Sequence, residues 1–314
     1  MAYRLKSLIG VLVAGAVAVA PGSTRAAGAA ADPVKRTVFV SVLDKDHVPV
    51  TDMQAAEFEV KEGGKTMEIV SVKRTTTPLR VAIIDADAGT GAYQQGLLQF
   101  MQKLLDHAEF SITSVLVQPQ KVIDYSSDAA ALSKALEGVG RRGVQRGAQL
   151  MEAISDASKT ARAEGKRSVI LVLRMGGEGT SSLNPKDVRE DLRKSGAMLY
   201  VLSVRGIDRA GPGPSTGAPM DSYAQQNALR NDELVEGRQN LQLVLGDGAR
   251  ESGGHNDEIV SVSMAKSVEL IADELLNQYE VTYAVPDGTK PSDKLSVSTK
   301  RKNVNVFAPN RPPQ

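Results

Sequence analysis

Val81-Ala82-Ile83-Ile84 is an unbroken apolar run closed by Asp85. A strand with one wet face alternates polar and apolar residues. A run with no polar member suits a strand covered on both faces, as in a parallel sheet. Helical spacing follows, with Leu97, Leu98, Met101, Leu104 and Leu105 within 96–107. The alternation then repeats. Strands are expected over 110–117, 121–125, 168–173 and 197–204. Helices are expected over 129–136, 148–163 and 185–195, the last with Asn184 as N-cap and Pro185 at its first position. Further helices are expected over 231–244 and 264–276. Such alternation predicts an α/β fold with an open, mostly parallel, doubly wound sheet. Ligands of such sheets bind at the carboxyl ends of the strands, which points to Asp85 and the residues after it.

The two ends read differently. Residues 34–78 are β-rich, with strands expected over 36–43, 58–61 and 67–72 and a Gly63-Gly64 turn between the last two. Residues 279–309 return to strand patterns over 279–285, 295–300 and 304–307. The simplest architecture places an α/β domain, 79–278, inside a small β-sandwich built by both termini. Segment 206–220 (GIDRAGPGPSTGAPM) reads as a flexible loop.

Residues 1–31 read as a signal peptide. Arg4 and Lys6 precede an apolar run, 8–20, and small residues follow. That run is shorter than the roughly 20 residues a membrane-spanning helix needs. The expected location is therefore secreted or periplasmic, with no membrane span after cleavage. The leader carries Arg4, Lys6 and Arg25 and no acid, so the formal +1 of the whole chain becomes −2 without it. A near-neutral balance excludes a dedicated nucleic-acid binder. The absence of cysteine excludes disulfides, Cys-ligated zinc and a thiol nucleophile.

Three segments together resemble the VWFA-related secreted bacterial proteins, which carry a von Willebrand factor type A domain. They are Val40-Ser41-Val42-Leu43-Asp44-Lys45 through Phe58-Glu59-Val60-Lys61-Glu62-Gly63-Gly64-Lys65, then Val81-Ala82-Ile83-Ile84-Asp85, and finally Ile271-Ala272-Asp273-Glu274-Leu275-Leu276-Asn277-Gln278-Tyr279-Glu280-Val281-Thr282-Tyr283. The resemblance implies a protein partner at the cell envelope or outside the cell, and a role in protein–protein interaction or cell adhesion. It also implies a position for a metal-ion-dependent adhesion site (MIDAS). There an Asp-x-Ser-x-Ser motif, a Thr on a second loop and an Asp on a third hold Mg²⁺ through hard oxygen ligands.

In this chain that motif is degenerate. Asp85 keeps the first position, Asp87 replaces the first Ser and Gly89 the second. Ala148 stands at the Thr position and Met175 at the last Asp. No metal and no cofactor are expected, and binding is expected to be metal-independent. Asp85, Asp87 and Glu178 are the residual ligands of a rearranged site, with Mg²⁺ the ion it would take.

An enzyme is not expected. The enzymatic alternative is an Asp-x-Asp phosphatase-like hydrolase, with Asp85 as nucleophile and Asp87 as general acid/base. Its Thr90 falls one residue late. His47, His107 and His255 are far apart in sequence and read as solvated residues.

Overall fold

The computed structural model describes residues 34–87, 90–139, 149–175, 181–204 and 235–312. The expected signal peptide and the 206–220 loop lie outside them.

Strand β4 (Leu79–Ala86) is the apolar run, and every residue except Arg80 is buried. It pairs in parallel with β5 (Ala108–Val115) on one side and β7 (Arg167–Arg174) on the other. β8 (Met198–Val204) and the short β9 (Asn256–Ile259) extend the sheet, both parallel. β6 (Pro119–Ser126) closes the other edge, antiparallel to β5, so the order is β6-β5-β4-β7-β8-β9. Order reverses at β4, which is the switch point of a doubly wound sheet.

Helices cover both faces. α1 (Gln94–Leu104), α2 (Ala129–Gly138) and α7 (Met264–Leu276) pack one apolar cluster around Phe100, Phe110 and Tyr200. α3 (Leu150–Ala161) and α4 (Pro185–Ser195) pack the other. They are joined there by a helical stretch: α5 (235–242), a π-helical segment (Leu243–Gly248) and α6 (Ala249–Ser252). α4 has the predicted bounds. Asn184 Oδ1 accepts from Lys186 N at 2.9 Å, and Gly196 ends the helix in the left-handed region at φ 67°.

The terminal strands combine otherwise than expected. β1 (Val34–Leu43), β2 (Phe58–Glu62), β3 (Lys65–Arg74), β10 (Tyr279–Val285), β11 (Leu295–Thr299) and β12 (Asn305–Phe307) form one sheet, ordered β11-β2-β3-β10-β1-β12. All pairs are antiparallel, and β10 sits between β1 and β3. Both termini do share this unit, but as one sheet rather than two facing sheets of a sandwich. The sheet curls: Leu295 N, at the start of one edge strand, donates to Asn310 O just beyond the other at 2.6 Å. The curl buries one face around Val40, Val60, Val281 and Tyr283. The hairpin turn is as predicted, with Gly63 and Gly64 at φ 57° and 79°; paired positive φ values give the turn type whose twist matches its strands.

A buried polar seam joins this sheet to the α/β part. Gln278, fully buried, donates to Ser41 Oγ at 3.0 Å and Tyr200 Oη at 3.2 Å, and its amide oxygen accepts from Arg167 at 2.5 Å. Beside it lies His255, which is buried and not solvated. The four residues of β9 are too few and too polar to announce a strand, so the sequence pattern leaves His255 in a loop.

Candidate functional site

β4 delivers Asp85 to its carboxyl end, at the switch point. Asp85 is 2% exposed and Asp87 1% exposed, so both carboxyls have been taken out of water. Burial pushes the Asp85 carboxyl well above the usual carboxylate range. The neighbouring Asp87 charge and a hydrogen bond between the two push it the same way. Asp85 Oδ1 has no hydrogen-bond partner among the described residues.

The chain after β4 wraps the second carboxylate. Thr90 Oγ1 lies 3.2 Å from Asp87 Oδ2, and Ala92 N donates to the same oxygen at 3.0 Å. This turn leads into α1 through Tyr93, which is 1% exposed. The Tyr93 hydroxyl lies 3.1 Å from Arg174 O and 3.3 Å from Leu202 O, so one donor ties α1 to the ends of β7 and β8. Burial and the two Asp charges raise the Tyr93 hydroxyl far above its ordinary value, keeping it a neutral donor.

The third loop supplies sulfur. Met175 N donates to Ala86 O at 3.3 Å, and Met175 Sδ lies 3.3 Å from Thr90 Oγ1. Asp85, Asp87, Thr90 and Met175 thus lie together at the carboxyl ends of β4 and β7. Gly89, Ala148 and Glu178 lie outside the described residues. Asp85, Asp87 and Thr90 bring three oxygen-bearing side chains, but the thioether is a soft donor that Mg²⁺ does not select. The described donors do not make up a six-oxygen Mg²⁺ shell. As a nucleophile Asp85 would have to reach a phosphate, which its burial opposes.

Sequence reasoning assigned no role to Tyr93, nor to Glu152. Glu152, third residue of α3, accepts from Ser181 Oγ at 2.8 Å and Ser182 N at 3.1 Å. It fastens Ser181 and Ser182 to the start of α3. An acid in the first turn of a helix was the signal available for it.

No protein-family model and no curated protein matches the chain. Solved structures of remote likeness exist. One is proximal thread matrix protein 1 from the mussel byssus, 10% identical, covering 66% of this chain and 49% of that one, with a TM-score of 0.43. Another is the pilus adhesin SpaC from Lactobacillus rhamnosus GG in its open conformation, 9% identical, covering 82% and 47%, with a TM-score of 0.44. A third is the SpRpn10 VWA domain, 11% identical, covering 62% and 94%, with a TM-score of 0.40. The chain spans about half the length of the first two structures. Among its described residues, no helix is long and apolar enough to cross a membrane.

Proposed function

We propose that this chain is an exported binding module, not an enzyme, whose VWFA-related domain recognises a protein partner at the cell envelope or outside the cell without a metal ion. The observation that carries the reading is the burial of the two carboxylates, Asp85 and Asp87, at the end of β4. Asp85 and Asp87 are both buried, and the Thr90 hydroxyl lies against Asp87 and Met175. The segments proposed for recognition are 85–93, 141–149 and 175–182. Export rests on the leader pattern of residues 1–31.

Calorimetric titration with Mg²⁺ and Mn²⁺ tests metal independence. The expected result is no saturable heat in the micromolar range. Micromolar binding that Asp85→Ala abolishes would sink the claim. Pull-down from envelope extract tests the binding role. The partner should be retained equally in EDTA and in MgCl₂, and lost with Ser182→Arg, a substitution at an exposed position of the third loop. Retention by that variant, or release by EDTA, contradicts the reading.

A further inference from the structure

The opposite end of the central sheet holds a second, unrelated feature. A cavity of about 480 Å³ opens where β7 and β8 begin, with its walls formed by α4, the α3–β7 connection and the C-terminal segment 309–312. Register places Leu79 of β4 beside Arg167 and Ala86 beside Arg174. The cavity is thus about 20 Å from Asp85 at 3.3 Å per strand residue. Its volume is that of a small-molecule site.

Its lining is strongly cationic. Eight Lys or Arg side chains face two carboxylates, Glu190 and Glu251. On α4, Lys186, Arg189 and Arg193 recur at helical spacing and so share one side. Arg162 comes from the connection before β7, and Arg311 from the C-terminal segment. That segment is held in place: Asn310 N donates to Glu251 O at 3.0 Å. The floor between the charges is apolar, with Leu192, Ala197 and Met198 almost fully buried.

Helix-dipole complementation explains only part of this charge. Arg193 and Lys194 sit in the last turn of α4, where cations belong. Lys186 sits in its first turn, where a cation is disfavoured. Among the described residues no carboxylate pairs with Lys186 or Arg162. Arg189 pairs with Glu251 through one terminal nitrogen, but its Nε is buried without an acceptor. A buried donor left unmatched costs stability that an incoming acceptor oxygen would restore.

We infer that this cavity is a binding site for a small amphipathic organic anion, an apolar body bearing carboxylate, phosphate or sulfonate groups. The apolar floor takes the body, and Arg162, Lys186 and Arg189 take the acidic groups through charge-assisted hydrogen bonds. The site is independent of the Asp85 end and of its proposed partner.

The probe is bis-ANS, an aryl disulfonate, titrated by fluorescence against the folded chain, with neutral Nile red as comparison. Saturable one-to-one binding of bis-ANS is expected. Its affinity should fall about tenfold or more in the Arg162→Ala, Lys186→Ala double variant, about 1.4 kcal/mol or more. It should also fall between about 0.05 and 0.3 M NaCl. Both substituted side chains are exposed, so circular dichroism should be unchanged. Lys186→Glu alone should weaken binding further than Lys186→Ala alone. Affinity unchanged in the double variant and in salt overturns the inference, as does Nile red occupying the site with equal affinity.

Discussion

Replacing His255 with glutamine is expected to lower the melting temperature by on the order of 10 °C at pH 6. His255 is 8% exposed and lies between two acids. Nε2 is 2.9 Å from Glu274 Oε2, and Nδ1 is 2.9 Å from Asp257 Oδ2. The second contact is off the N–H axis and is ionic rather than a hydrogen bond. Burial opposes the imidazolium, but the two carboxylates outweigh it and raise the pKa to about 10. Tyr200 donates to the other Glu274 oxygen at 2.7 Å, and the rings of Tyr200, Phe307 and His47 surround the imidazole. Removing one partner of such a buried ionic cluster costs about 3–5 kcal/mol, because the carboxylates are left uncompensated.

The pH dependence has a definite sign. An unfolded histidine titrates near 6.5 and the folded one near 10. Folding therefore gains from the bound proton, fully below pH 6.5, and loses that gain as pH rises through about 10. Differential scanning calorimetry at pH 6, 8 and 10 should show this alkaline decline in the natural chain and a flatter curve in His255→Gln. Equal slopes would show that His255 is not held as an imidazolium.

What could be read in the sequence was local. Val81 to Asp85 named both the buried parallel strand and the residue at its end. α4, α7 and β10 have the predicted bounds because cap, spacing and alternation are written in adjacent residues. What escaped was tertiary. β10 alternates clearly, yet nothing in its residues says it inserts between β1 and β3. His255 owes its charge to Asp257, two residues on, and to Glu274 on α7, nineteen residues on, and only the fold brings the second acid to the ring. The cationic cavity draws on Arg162, Lys186 and Arg311, whose separation of up to 149 positions gives no local cluster to notice. At the site itself, the sequence showed that the hydroxyl set was broken at Asp87. It did not show that Thr90, one residue late for any motif, would turn to cap the replacement carboxylate.

That capping makes Asp85 the decisive residue. Asp85→Asn is expected to stabilise the chain at pH 7 by on the order of 1–2 kcal/mol, the usual size of a single favourable substitution. Burial and Asp87 raise the folded pKa of the natural carboxyl above the ordinary 3.8, so folding favours its protonated form. Its contribution is intact below pH 3.8 and is lost as pH rises toward the raised value, so stability should decline above about pH 4. The amide introduced by the substitution cannot ionise and still donates to Asp87, so that decline should disappear. Thermal denaturation from pH 4 to 8, in EDTA and in MgCl₂, separates this from metal binding. If Mg²⁺ held the two carboxylates, it would stabilise the natural chain and the asparagine would destabilise it. A gain from Asp85→Asn that is the same with and without Mg²⁺ means that a shared proton occupies the place of the metal.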